Sequence, residues 1–207
     1  MTIVDCLESK DETLKRETLE LLYKMTNLQN VDFIVDKLIV FLRGAYDPNF
    51  RKDLVNKICQ LSERFAPNQE WFLKTMNIVF EFGSEFVDNL LLNNYLKLLN
   101  ENYSQEGPDF GKLIIDKYIE TIKKPNLSDI TTKMISWVIG EIGSSIFANN
   151  TEKLSELAEI LLNTITNEFE NISSRGWILS SLGKLSSCPG FELTDQVNAC
   201  FDYYSGS

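Results

Sequence analysis

The chain has 207 residues, of which 43% are hydrophobic and 24% charged, an ordinary balance for a globular protein with a sizeable core. Its 30 acidic and 20 basic residues leave a formal net charge of -10, which disfavours binding to nucleic acid or anionic lipid. The sequence contains no histidine, the commonest general base and metal ligand. We therefore expect neither an enzyme nor a metal or cofactor site.

The cysteines and the apolar runs indicate where the protein resides. The four cysteines lie far apart in the chain, at Cys6, Cys59, Cys188 and Cys200. No pair has the C-x-x-C spacing of zinc or redox motifs, so we expect buried free thiols in a reducing compartment. The densest apolar run, residues 34–42, is interrupted by Asp36 and Lys37 and is too short to span a membrane. The sequence therefore predicts a cytosolic protein.

Apolar residues at spacings of three and four predict helices along nearly the whole chain. In chain order, caps and breaks place these helices at about residues 1–9, 11–25, 31–44, 47–65, 71–83, 88–103, 111–123, 128–146, 151–167, 177–185 and 193–204. In the helix after Asp11 we expect one buried face, formed by Leu14, Thr18, Leu21, Leu22 and Met25. No segment alternates with period two for long enough to predict a sheet.

A repeated sequence pattern indicates how these helices are arranged. DETLKR, which begins at Asp11, returns in imperfect form as DPNFRK at Asp47, 36 residues later. This spacing is close to one antiparallel helix pair with its turns. About ten helices joined by short turns therefore predict an all-α fold, an α-solenoid rather than a globular bundle. We expect residues 1–204 to form a single helical-repeat segment, with residues 205–207 as a tail or expression remnant.

Basic pairs follow the acidic residue in both copies of the repeat. They are Lys15-Arg16 and Arg51-Lys52. Phosphate contacts are one interpretation, but basic residues at this position of helical repeats more often bridge to acidic turn residues. We therefore predict that Lys15 and Arg16 fix the repeat turn.

Glycine and tryptophan residues in the predicted helices indicate packing rather than ligand binding. Gly140 and Gly143, in WVIGEIGSS, follow no strand and lack the GK[ST] ending of a phosphate loop. Glycine inside a helix costs about 1 kcal/mol, so we predict that Gly140 allows a close helix–helix approach. Trp71, Trp137 and Trp177 fall on apolar stripes, where we expect them to set core packing, although a groove-facing tryptophan would be a binding hot spot.

Three blocks of the sequence resemble the trunk of large adaptin chains. They are KRETLELLYKMTNLQNV (15–31), LSERFAPNQEWFLKTMNIVFEFG (61–83) and MISWVIGEIG (134–143). The ETLELLY-x-x-TN and FAPNQEWF-x-x-TMN forms are most similar to the epsilon subunit of the fourth heterotetrameric adaptor complex. The resemblance covers about residues 3–187 and is weakest between residues 88 and 129. Ile142 departs from it, because an aromatic residue is expected at that position.

The resemblance implies a fold, a role and a set of partners. The fold would be an α-solenoid of HEAT/armadillo-like antiparallel helix pairs, and this chain would be the later part of that trunk. The role would be structural, in a vesicle-coat adaptor complex that sorts cargo at the trans-Golgi network. The second large, medium and small adaptor subunits would be its partners, and an Arf-type GTPase would bind parts of the trunk not present here. The chain would then lie peripherally on trans-Golgi network and vesicle membranes, held through the assembled complex.

Two other functions remain open at the level of the sequence. One is the trunk of a gamma- or alpha-type clathrin adaptor, whose chains are similar in the same blocks. The other is a generic armadillo-like protein-binding scaffold, which typically carries a ladder of Asn and Trp residues at repeat spacing. Trp71, Trp137 and Trp177 do not keep one period, which favours the adaptor trunk.

Overall fold

The computed structural model describes residues 11–123, 127–167 and 172–191, together with Asp195, Asn198 and Ala199. These residues form helices and short connections, and no β-strand occurs among them. The predicted all-α class is confirmed. The predicted helix over residues 1–9 and the tail at 205–207 lie outside the described residues, as does most of the predicted helix over 193–204.

The chain divides into two compact units, the first ending at Asp88 and the second beginning at Asn89. The first unit contains α1 (Glu12–Met25), α2 (Val31–Gly44), α3 (Pro48–Phe65), α4 (Gln69–Gly83) and a 3₁₀ turn (Ser84–Phe86). The second contains α5 (Asn89–Glu106), α6 (Pro108–Ile122), α7 (Asp129–Val138), α8 (Thr151–Asn167) and α9 (Ile172–Ser186). Helix α7 continues through a π-helical segment (Ile139–Gly143) and a last turn (Ser144–Ile146).

Helices of the same direction pack side by side within each unit. In the first unit α1 packs on α3 and α2 on α4, and in the second α5 packs on α7 and α7 on α9. Adjacent antiparallel helices also pack, such as α3 with α4 and α5 with α6. This pattern, in which one helix pair contacts the following pair within each unit, is that of an α-solenoid, as predicted.

Equivalent aspartates start α1 and α3. The Asp11 carboxylate accepts a hydrogen bond from the backbone N–H of Thr13 at 2.9 Å, and the Asp47 carboxylate accepts one from the N–H of Phe50 at 2.7 Å. Such caps satisfy N–H groups that have no partner within the helix. The 36-residue repeat read from the sequence therefore corresponds to two structurally equivalent helix starts.

The apolar stripe of α2 was predicted correctly, whereas that of α1 was only partly right. The buried residues of α2 are those expected, namely Val31, Ile34, Val35, Leu38, Ile39 and Leu42. In α1, however, Thr18, Leu19 and Leu22 are buried, while the predicted Leu14, Leu21 and Met25 are 37%, 44% and 48% exposed. The reason is that α1 packs mainly on α3. The apolar residues of α1 spread over a wider part of its circumference than α3 covers, so those on the uncovered side are exposed.

The start of α6 also differs from the prediction. The helix begins at Pro108 rather than at residue 111, because the fixed φ of proline suits the first helical turn, where its missing N–H costs nothing. Gly107 precedes it with φ of 83°, a left-handed conformation that favours glycine. The break predicted at residues 106–108 is therefore a helix junction with almost no loop.

Two buried groups characterise the cores of the two units. In the first, Cys59 is a buried free thiol, and burial, followed by the charges of Glu63 and Asp88, raises its pKa to about 12. In the second, the hydroxyl groups of Tyr95 and Tyr118 lie 2.6 Å apart and share a hydrogen bond. Burial, together with Tyr118, raises the pKa of Tyr95 well above its usual value. Neither core group is therefore charged near neutral pH.

We expect the Cys59 thiol to make the free energy of unfolding fall as pH rises above about 9. In the unfolded chain the thiol ionises near its ordinary pKa of 9.0, whereas in the folded chain it keeps its proton until about 12. Below the lower value both states hold the proton, so this contribution stays constant. Urea unfolding of the wild type and Cys59→Ala at about pH 8 and about pH 10.5 should give a steeper decline for the wild type. Parallel declines would contradict the assignment.

We expect Asp47→Ala to lower the free energy of unfolding by about 1 kcal/mol, because the N–H of Phe50 loses its capping partner. Thermal unfolding followed by circular dichroism would measure the change. Asp36→Ala, at an exposed position inside α2, serves as the control and should leave the midpoint nearly unchanged. Equal effects of the two substitutions would show that Asp47 is not a functional cap.

Candidate functional site: the stacking contacts of the helix pairs

A cation lies over an aromatic ring at equivalent positions of two successive repeats. The Lys15 ammonium lies 5.6 Å from the centre of the Phe50 ring, and the Arg51 guanidinium lies 5.8 Å from the centre of the Phe86 ring. Both the cations and the rings are separated by 36 residues, the spacing of the two capping aspartates. The repeat thus includes a contact between consecutive pairs and not only a sequence pattern.

Arg51 makes further contacts with the end of α4. Its guanidinium donates a hydrogen bond to the backbone carbonyl of Phe82 and forms an ion pair with Glu85 at 3.4 Å. A cation at this position suits the partial negative charge at a helix C-terminus. Glu85 lies in the turn after α4, so a basic residue of the repeat does bridge to an acidic turn residue. By contrast Arg16, the second member of its pair, is exposed, and the role predicted for it stays a prediction.

A second link between α1 and α3 was missed from the sequence. The Lys57 ammonium forms an ion pair with Glu20 at 2.7 Å and lies 4.1 Å from the centre of the Tyr23 ring. The repeat period indicates that residues about 36 positions apart become neighbours. It does not indicate which side chains of two facing helices meet, so no local motif marks this link.

Trp71 joins α4 to α2 at the surface. Its indole N–H donates a hydrogen bond to the Asp32 carboxylate at 2.6 Å, and the side chain is half-buried. On the same pair of helices the Arg43 guanidinium lies 4.8 Å from the centre of the Phe82 ring. Trp137 and Trp177 are half-buried as well. The three tryptophans thus lie at the edge of the core, and the prediction that they set helix packing stays a prediction.

The second unit is organised around the π-helical segment of α7. A Cβ atom placed on Gly140 would lie 2.7 Å from the Cα of Ser181 in α9, closer than packed atoms approach. A Cβ placed on Gly143 would lie 3.1 Å from the Cδ1 of Leu157 in α8. Short π-helical segments are rare and arise where an α-helix accommodates a local distortion. Gly140 thus lies where the sequence predicts a close helix–helix approach.

The described residues offer neither a metal site nor a membrane span. No group of three His, Cys, Asp or Glu side chains within them is placed to hold a metal ion. No helix in the described part of the chain is long and apolar enough to cross a membrane. The features that recur from repeat to repeat are instead contacts between helix pairs. The fold and these contacts define a helical-repeat protein of the α-solenoid class.

Comparison with known proteins places the chain within that class. The family described as "Adaptin N terminal region" matches residues 1–204. The chain belongs to this family, as the resemblance predicted.

The relatives are large subunits of adaptor complexes. The chain is 35% identical over 149 residues to "AP-4 complex subunit epsilon" of Arabidopsis thaliana, covering 70% of this chain and 16% of that protein. It is 32% identical over 191 residues to "AP-4 complex subunit epsilon-1" of Homo sapiens, covering 90% and 16%. It is 25% identical over 215 residues to "AP-1 complex subunit gamma" of Dictyostelium discoideum, covering 98% and 23%. The chain thus spans less than a quarter of the length of these relatives.

We expect Gly140→Ala to lower the free energy of unfolding by about 1–3 kcal/mol, because the added methyl group would collide with the backbone of Ser181. Gly176→Ala in α9 is a matched control, since open space surrounds that glycine. There the better helix propensity of alanine should raise stability by up to about 1 kcal/mol. Thermal unfolding of both variants would measure the difference. A stabilising effect at both positions would show that the close approach does not exist.

Proposed function

We propose that this chain is a structural trunk segment of an epsilon-type large subunit in a heterotetrameric vesicle-coat adaptor complex. In this role it would contribute to cargo sorting and vesicle-mediated protein transport from the trans-Golgi network. The observation that carries the proposal is the family match over residues 1–204 together with the order of the identities. The two epsilon relatives above are 32% and 35% identical, whereas AP-1 gamma relatives are 23–27% identical.

The geometry supports a role in assembly rather than in catalysis. Within the first unit, side chains join the helices both inside a pair, as Arg51 joins α3 to the end of α4, and between pairs, as Lys57 joins α3 to α1. A stack connected in this way presents surface residues at fixed spacings, which suits a scaffold that holds other subunits. The second large, medium and small adaptor subunits are the partners that we propose.

Membrane location would follow from assembly. The net charge of -10 opposes direct contact with anionic lipid, so recruitment would depend on other components. We propose a peripheral position on trans-Golgi network and vesicle membranes through the complex. An Arf-type GTPase would contact trunk parts outside this chain.

A gamma-type clathrin adaptor trunk is the second candidate. The observation in its favour is the match to the Dictyostelium AP-1 gamma subunit, which covers 98% of this chain, more than the epsilon matches above cover. Its identity of 25% is lower than theirs, so the epsilon-type proposal has the stronger support.

We expect this chain to bind the other subunits of an AP-4-type complex and not those of an AP-1-type complex. Each second large, medium and small subunit would be expressed separately and offered to the immobilised chain. Capture should persist at about 0.5 M salt, because assembly interfaces depend chiefly on apolar contact. An unrelated helical-repeat protein of similar net charge serves as the control for acidic, non-specific binding.

Each outcome of this binding experiment has a defined meaning. Capture of AP-1-type subunits alone would replace the epsilon-type proposal with the gamma-type candidate. Capture of none, by a chain whose circular dichroism is helical, would contradict a subunit-holding role for these residues.

A further inference from the structure

An ion pair on α7 faces α9, and its lysine is buried while the Asp129 side chain is 31% exposed. The Lys133 side chain is 5% exposed, and its ammonium lies 2.6 Å from a carboxylate oxygen of Asp129, one helical turn earlier. The second carboxylate oxygen of Asp129 accepts a hydrogen bond from the Ser174 hydroxyl on α9. Removing a lysine charge from water is costly, and buried ion pairs often add little net stability compared with apolar residues of the same size. This cluster therefore requires an explanation other than stability.

The polar contacts between α7 and α9 keep one alignment of the two helices. Ser174 meets Asp129, and the Ser181 hydroxyl lies 2.6 Å from the backbone carbonyl of Ser136. Both contacts join residues separated by 45 positions. A shift of α9 by one turn would move each serine by about 5.4 Å and break both contacts. The two serine contacts, at different points along the interface, thus correspond to the same alignment of α9 on α7.

If α9 shifted along α7, its hydroxyl groups would meet other hydrogen-bonding groups of α7. Within the described residues, the hydroxyl groups of Thr132 and Ser136 on α7 are buried and have no hydrogen-bond partner. The Ser181 hydroxyl has one proton, yet it lies within hydrogen-bond distance of two carbonyls, those of Ser136 and Trp177. Neutral hydroxyl groups of this kind can exchange partners at small cost. They do not by themselves select one alignment.

We propose that Asp129, Lys133 and Ser174 form a register lock, which selects a single alignment of α9 on α7 and contributes little to overall stability. The Asp129 carboxylate is held by the Lys133 ammonium on its own helix, and it can bind α9 only where Ser174 faces it. Any other register separates the buried Ser174 hydroxyl from the carboxylate that neutralises the buried Lys133 charge, and losing a hydrogen bond to a charged group is more costly than exchanging contacts between neutral hydroxyl groups. Because α7 and α9 are successive helices of the same direction, this register determines where the next helix pair of the second unit lies along α7.

The first test measures whether the charges act as a buried pair. In the full chain, Asp129→Asn leaves the Lys133 charge buried without a counter-charge, so the opening constant of α9 amides in hydrogen exchange should rise at least about tenfold. Adding Lys133→Met should return it to within about threefold of the wild type. Lys97 and Glu101 are the matched control, an exposed pair of the same spacing on α5. Glu101→Gln should change exchange in α5 by about twofold or less.

Two results of this test would overturn the proposal. One is an effect of Asp129→Asn no larger than that of Glu101→Gln. The other is a double variant no closer to the wild type than the single variant. If Asp129→Asn alone fails to fold, the double variant Asp129→Asn/Lys133→Met decides, since the proposal requires it to be about as stable as the wild type.

The second test measures the register itself. In the double variant Asp129→Asn/Lys133→Met, the thermal midpoint should stay close to that of the wild type, while the backbone amide NMR signals of α9 split or broaden. The control double variant, Glu101→Gln/Lys97→Met, should keep one sharp set of signals. A single sharp set of α9 signals at wild-type positions in the Asp129→Asn/Lys133→Met variant would overturn the register lock. A large fall of its thermal midpoint would do the same, because the cluster would then be a stability element.

Discussion

Within each unit, the structure depends on lateral contacts between helices of the same direction in successive pairs. An amphipathic helix in water cannot bury its own apolar face, and one antiparallel partner covers only part of it. Hydrogen bonds across these lateral contacts join residues that are 39, 42 and 45 positions apart in the chain. The repeat length of the sequence is thus close to the separation, along the chain, of the residues that meet across these contacts.

The two units meet this requirement by different means. In the first unit, cations from one pair lie over aromatic rings of the next, as Lys15 does over Phe50, and the helices are joined by long side chains. In the second unit, Gly140 allows a close approach of the Ser181 backbone, and an ion pair between Lys184 and Glu141 joins the same two helices. Long side chains tolerate small changes of distance, whereas backbone contact does not. The polar cluster that we propose to select the register of α9 therefore lies in the unit where backbone contact tolerates the smallest change of helix position.

The same features bear on function. Polar side chains in the described part of both units join helices, as Asp32 joins Trp71 and Asp129 joins Ser174. An arrangement of this kind suits the scaffold role that we propose. Membership of the adaptin N-terminal region family agrees with this reading. Among scaffold roles, the relatives support that of a trunk segment in an adaptor complex, which we propose.

The sequence by itself determined the helical class, most helix boundaries, the capping aspartates, the buried stripe of α2 and the family. These features depend on neighbours within a few positions along the chain, or on residue patterns that can be recognised in the sequence alone. The tertiary structure decided which side of α1 is covered, that all three tryptophans are half-buried, that α7 contains a π-helical segment, and that Lys133 is buried beside Asp129. Each of these depends on a helix about 36 to 45 residues away, and the repeat period predicts the presence of that helix but not which side chains it brings into contact.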